Sequence, residues 1–342
     1  MIRIITDSTS SLPKDLREKL GIHLLNLVVN RGGVSHVEGE MDLDAFYADI
    51  YEMADDIPTS SQPSALSIET ALEEAAAAGD EVLGIFISGR MSGTFEGVAR
   101  AARETAKRHP DFKYALIDSM TNCMELGWAV VAACEARDAG GSLEECVEAA
   151  TRAMSSTRFI FAPESLKFLE KGGRIGKASA LLGNMLNISP ILTVKNGEAA
   201  TFSKVRTQKK ALTKMVDVFK RDVENYGLRN VAVHYIGSCV PAFEWAREVI
   251  DPLVGKTVMV LPASPVIGVH VGPAMGLAYE CAAPIEGKFV TSPEIIASQL
   301  LLPPISQGGR FGTNLRVRSV PSEAIVSVLQ SRHKPHSVTS RR

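Results

Sequence analysis

Short aliphatic and β-branched runs alternate with helix-periodic stretches through the first half of the chain. Residues 2–6, 24–29, 82–87 and 114–117 read as buried strands, and residues around 12–20, 43–53, 68–78, 93–107 and 124–139 read as helices. Strands and helices in strict alternation build a mostly parallel sheet with helices on both faces. A second pattern begins near residue 160. A helix-like run at 178–186 is followed by strands at 191–194, 231–236, 257–261 and 266–271, as expected for a second α/β region with a mixed or antiparallel sheet. The expected organisation is an N-terminal α/β domain at 1–160, a C-terminal α/β domain at 161–280 and an atypical extension at 281–342. The extension carries helical patterns at 293–302 and 322–331, and from residue 310 onward seven Lys or Arg face one acid, Glu323.

Composition narrows the function classes. A chain of 342 residues exceeds what one core usually fills, so two cores are expected. Its 45% apolar and 22% charged content is that of a folding globular protein. A net charge of −2 gives the body no positive field for phosphates, which argues against a nucleic-acid partner. The five cysteines are odd in number and lack metal-ligand spacing, so free buried thiols in a reducing cytoplasm are expected, with no metal and no cofactor. Residues 1–7 read as a first strand rather than a signal peptide. The long uncharged stretch 257–279 is broken by Pro262, Pro265 and Pro273 and by Gly268, Gly272 and Gly276, which suits strands and loops better than a membrane span.

Candidate chemistry sits in hydroxyl-rich loops after strands, where ligands of open α/β sheets collect. Three such loops are Asp7-Ser8-Thr9-Ser10-Ser11, Ser88-Gly89-Arg90-Met91-Ser92-Gly93-Thr94 and Asp118-Ser119-Met120-Thr121. A fourth, Thr59-Ser60-Ser61-Gln62-Pro63-Ser64, reads equally as a helix N-cap. His270 stands between apolar neighbours in an apparent strand ahead of Gly272-Pro273. Hydroxyls and an imidazole together can hold a carboxylate without arginine. Phosphate-loop spacing fails, because Gly176-Lys177 has no glycine five residues upstream of Gly176, and no GxSxG surrounds Ser92. Three readings of the residues stay open: a carboxylate-binding protein, an enzyme and a regulatory module. The enzyme would be a hydrolase using Ser92 with Asp7 or Asp118 and His270, or a carbonyl-processing enzyme using His270. The module would contact a macromolecule through its basic tail. Arg174, after Gly172-Gly173, and Lys204-Val205-Arg206 read either as a solvated basic face or as a docking site.

In this order the motifs resemble the DegV family. They are Thr6-Asp7-Ser8, Ser60-Ser61-Gln62-Pro63, Ser92-Gly93-Thr94, Asp118-Ser119, Lys171-Gly172-Gly173-Arg174-Ile175, Asn187-Ile188-Ser189-Pro190, Lys204-Val205-Arg206-Thr207 and His270-Val271-Gly272-Pro273, over roughly residues 2–280. DegV proteins are fatty-acid-binding subunits of bacterial fatty acid kinase. The resemblance implies a non-enzymatic, cytoplasmic protein that holds a long-chain fatty acid by Ser60, Ser92 and His270, supported by Ser61, Gly93 and Thr94. It also implies that the carboxylate is presented to an ATP-binding kinase subunit near Arg174 and Arg206, and it is compatible with transient contact with a membrane surface. Ser189 stands where the family often has lysine, and the segment after Cys281 exceeds the usual family length.

Overall fold

A computed structural model describes residues 1–184, 188–288 and 295–297. The chain opens with β1 (Ile2–Asp7), α1 (Lys14–Lys19) and β2 (His23–Leu25), then β3 (Val28–Arg31), β4 (Val34–Val37), α2 (Leu43–Ala48) and β5 (Thr59–Ser61). It continues through α3 (Ala65–Ala77), β6 (Glu81–Phe86), α4 (Thr94–Arg108), β7 (Tyr114–Asp118), α5 (Cys123–Asp138) and α6 (Leu143–Ser156). The second part holds β8 (Thr157–Pro163), α7 (Lys167–Lys171), β9 (Ser189–Lys195), β10 (Glu198–Val205), α8 (Gln208–Tyr226) and β11 (Leu228–Ile236). It ends with α9 (Val240–Trp245), α10 (Asp251–Val254), β12 (Met259–Pro262), α11 (Pro265–Val271), β13 (Ala274–Cys281) and β14 (Ile295–Ala297).

Three sheets form among the described residues. The first runs β14-β7-β6-β1-β2, with β1, β2, β6 and β7 parallel and β14 antiparallel on the β7 edge. β7 is buried along its whole length and β6 along all but Glu81, as a parallel sheet covered on both faces requires. The second sheet runs β10-β9-β8-β13-β11-β12 and is antiparallel except for the β11–β12 pair. A small antiparallel layer, β4-β3-β5, accompanies them. The predicted mixed α/β class, parallel sheet first and largely antiparallel sheet second, is what the chain forms. All of these elements lie within one compact unit, Met1–Pro304.

Several elements differ from the sequence expectation. The run 24–29 is two strands: β2 stays beside β1, whereas β3 turns away to pair with β4 and β5. The segment 266–271 is helix α11, not a strand. Ser264 caps it by accepting from Ile267 N, and Pro265 occupies its first position. All of its residues but His270 are apolar, so period could not tell helix from strand. The helix expected at 43–53 stops at Ala48, and a 3-10 turn covers Glu52–Ala54. The run 178–186 forms a 3-10 helix at Gly176–Asn184, and residues 185 and 186 lie outside the described residues. Within 293–302, residues Ile295–Ala297 are strand β14, because β7 presents an open edge. The helix expected at 322–331, the basic tail from 310 and Asn187 lie outside the described residues. All five cysteines are free, and four are buried.

Candidate functional site

A cavity of about 140 Å³ is enclosed by the second sheet, α11 and the loops that follow the first sheet. Its apolar wall includes Leu27, Phe159, Phe161, Leu169, Val194 and Val266. Phe159 and Phe161 stack with centroids 5.2 Å apart. Their alternation along β8, where Phe161 pairs with Gly276 and Phe159 with Ala278 of β13, puts both rings on one face of the sheet.

Polar groups gather in the same cavity. Ser60 sits on β5, so the reading of its loop as a mere N-cap applies only to Ser64, which does cap α3 by accepting from Ser67 N. Ser60 Oγ and His270 Nε2 lie 2.8 Å apart, joining residues 210 positions distant in sequence. With the ring proton on Nε2, His270 donates to Ser60 Oγ and leaves the serine O–H free to donate to an anion. His270 Nδ1 has no hydrogen-bond partner among the described residues. Gly172 makes room for it, since a Cβ there would stand 2.6 Å from Nδ1.

Ser92 also lines the cavity. Its Oγ lies 2.8 Å from Thr94 Oγ1 and accepts from Thr94 N at 3.3 Å. Thr94 itself is buried behind it at the start of α4. Gly93, Ser61 and Gln62 complete this edge, and Gln62 Oε1 lies so close over Gly93 that a Cβ there would make the Gln62 side chain shift. Arg174 lines the cavity as well, and its guanidinium donates to Met91 O at 3.3 Å and Gly172 O at 2.8 Å. Ser60, Ser61, Ser92, Gly93, Arg174 and His270 are therefore brought to one cavity. Arg206 is not among its lining residues and is exposed just past β10.

The acids weighed for a hydrolase point elsewhere. Asp7 accepts from Thr9 N, Thr9 Oγ1 and Ile87 N, and burial raises its carboxyl to about 6. Asp118 accepts from Gly89 N and Met120 N. These carboxylates pin the loops rather than orient His270, and His270 contacts Ser60 instead of Ser92. A serine–histidine–acid relay needs all three in sequence. Among the described residues no group of three or more His, Cys, Asp or Glu could hold a metal ion, and no helix is long and apolar enough to cross a membrane.

The sequence reading missed several contributors. His234, 2% exposed on β11, lines the cavity and accepts from Met124 N at 3.3 Å. Asn122 and Cys123 line it from the start of α5. Glu38, buried, accepts from Ser264 Oγ at 2.8 Å and Val266 N at 2.6 Å, and also from Ser8 Oγ, so it fixes the start of the helix that carries His270. No local motif marks these positions.

Burial holds the His270 imidazole down to about 4, with Arg174 acting in the same direction. An unfolded histidine binds its proton near pH 6.5. Between those values the unfolded chain holds a proton that the native chain lacks, so this residue's contribution to stability is full above about pH 6.5 and declines as pH falls toward 4. At pH 5 the loss is about 2 kcal/mol. Asp7, raised to about 6, acts oppositely over part of this range, so the comparison is made between variants. Denaturant unfolding at pH 7 and pH 5 should show His270→Gln losing about 2 kcal/mol less than the parent chain. Equal losses would show that His270 is not buried in its neutral form.

The family description that matches this chain, an uncharacterised DegV family, covers residues 1–281. A DegV domain-containing protein of Clostridium acetobutylicum is 41% identical over 81% of this chain and 97% of the relative. A Thermus thermophilus DegV family protein, described for its fatty-acid binding, has a solved structure that is 30% identical, with TM-score 0.71, covering 82% of this chain and 99% of that one. The Bacillus subtilis DegV structure, described as a fatty acid binding protein, is 28% identical with TM-score 0.72, covering 82% and 99%. A stearic acid-binding protein from Eubacterium ventriosum is 25% identical with TM-score 0.74, again covering 82% and 99%. The motif order, the paired sheets around one cavity and a match running from residue 1 to 281 agree, and the chain belongs to the DegV family.

Proposed function

We propose that the chain binds a long-chain fatty acid in this cavity and holds its carboxylate by Ser60, Ser92 and His270, with Ser61, Gly93 and Thr94 supporting the loops. The observation that carries the reading is the Ser60–His270 pair, 2.8 Å apart at the rim of a wall built from phenylalanine and aliphatic side chains. An acyl chain of about 15 methylenes gains at most roughly 12 kcal/mol on leaving water, less the cost of ordering it. Apolar enclosure therefore supplies affinity, and the hydroxyls and imidazole set orientation, since a carboxylate buried without donors carries a penalty of several kcal/mol. The fatty-acid binding described for the Thermus thermophilus and Bacillus subtilis proteins supports the same ligand class.

In the finer form of the proposal the chain is a binding subunit rather than an enzyme. It presents the carboxylate to a separate ATP-using kinase, whose transfer of the γ-phosphoryl group to a carboxylate oxygen yields acyl phosphate and ADP. Arg174 and Arg206 would face that subunit. Residues 1–160 would carry the carboxylate loops, residues 161–280 would enclose the lipid, and the protein would be cytoplasmic and make transient contact with a membrane surface. Native mass spectrometry of the purified protein is expected to show one bound fatty acid, or uptake of one from added palmitate or oleate. A protein that carries none and gains none is not a fatty-acid carrier.

A further inference from the structure

The family match ends at residue 281, yet a residue beyond it reaches the interior. Lys288 is 16% exposed, and its ammonium donates to Glu125 Oε1 at 2.6 Å, Met154 O at 2.7 Å and Thr157 Oγ1 at 3.2 Å, and also to Thr157 O. Met154 lies in the last turn of α6, where carbonyls lack helical partners and a cation is favoured. Thr157 begins β8, which carries Phe159 and Phe161 into the cavity wall.

On the other side, Glu125 is 3% exposed and its Oε2 accepts from Thr121 Oγ1 at 2.5 Å. Thr121 O accepts from Ser88 N at 3.0 Å, at the start of the loop that carries Ser92. The residues after Thr121, Asn122 and Cys123, line the cavity. This short segment holds two non-glycine residues in the left-handed region, Met120 at φ 56° and Cys123 at φ 51°. Such conformations persist only where the surroundings over-determine them. Glu125 and Lys288 supply part of that constraint, and β14 on the edge of β7 braces the strand that leads into the same segment.

We propose that Lys288 is a positioning residue for the ligand site. By joining Glu125 to the end of α6, it holds the 119–123 segment, and through it the Ser92 loop, against the wall formed by β8. The site of this protein thus depends on chain that lies beyond the family domain.

The inference uses the fatty-acid reading only for its affinity readout. In the full chain, Lys288→Arg should keep palmitate affinity close to that of the parent. Lys288→Met should lower it about tenfold. If Lys288→Met does not fold, the decisive variant is Glu125→Gln/Lys288→Met, which leaves no unpaired buried charge and keeps an acceptor for Thr121. Its affinity should also fall about tenfold. Amide hydrogen exchange without ligand should quicken at residues 119–123 by tenfold or more in the double variant, with β11 and β13 unchanged. Exchange at 119–123 equal to that of the parent, or a uniform rise across β11 and β13, overturns the role of Lys288. A parent chain that takes up no palmitate overturns the fatty-acid reading alone, because the exchange measurement still decides the positioning role.

Discussion

Palmitate binding is expected to weaken about 100-fold when Ser60 and His270 are both replaced by alanine, as measured by titration calorimetry on the purified chain. A hydrogen bond to a charged group contributes about 1.5–3 kcal/mol, so each single replacement should cost roughly 20-fold. The double loss falls short of the product of the two because the imidazole acts through the hydroxyl: the groups are 2.8 Å apart and share one hydrogen bond. Methyl palmitate, which has no anionic head, should bind the parent and the double variant within a factor of about three. If the double variant binds palmitate as tightly as the parent, the carboxylate lies at another part of the cavity. Ser92→Ala should show a smaller loss, since Ser92 Oγ is already engaged with Thr94 Oγ1 and Thr94 N.

The second large effect is expected at Glu38. Replacing it by alanine strands Ser264 Oγ and Val266 N in a buried location and takes from the half-buried Ser8 Oγ its acceptor. Unsatisfied buried donors cost about 1–3 kcal/mol each, and with some relaxation a total near 4 kcal/mol is expected by chemical denaturation. Glu38→Gln keeps one carbonyl acceptor and should lose about half as much. Because Val266 opens the helix that carries His270, the alanine variant should also bind palmitate more weakly than its lowered stability explains. Retention of full stability in Glu38→Ala would mean that α11 is anchored by packing alone. Buried Val266, Ile267 and Val269 are the side chains that would then have to provide it.

Lys288 and Glu38 share a physical feature. Each is a charged side chain taken from water and surrounded by partners distant in sequence, so removing one member leaves the rest uncompensated. Each also stands behind a cavity-lining segment rather than in it. The cavity lining is accordingly backed at two separate places, by the carboxylate at the start of α11 and by the ammonium at the end of α6.

Much of the architecture was legible in the residue pattern alone. The parallel strands at 2–6, 82–87 and 114–117 are nearly continuous apolar runs separated by helical periods, and burial on both faces leaves few other solutions. The hydroxyl loops were legible as well, because strand ends followed by Ser, Thr and Asp need side chains that the sheet itself does not require. Residue chemistry marked the loops and the histidine only as candidates, the resemblance to the DegV family picked out Ser60, Ser92 and His270 among them, and Arg174 stood out after two glycines.

What the sequence could not settle was decided at long range. Residues 266–271 are apolar apart from His270, so neither a period of 2 nor one of 3.6 emerges, and the Ser264 cap and the Glu38 carboxylate select helix α11. The run 24–29 divides because β1 claims its first half and β4 and β5 its second. Ser60 meets His270 across 210 positions, and Lys288 meets Glu125 across 163. By itself the sequence determined the α/β class, the hydroxyl-rich loops and the absence of a positive field for nucleic acid, since these follow from local pattern and net charge. Which hydroxyl faces the imidazole, which helix carries it and which distant charges hold the loops in place were settled only by the tertiary structure, because pairings over such separations depend on how the sheets pack.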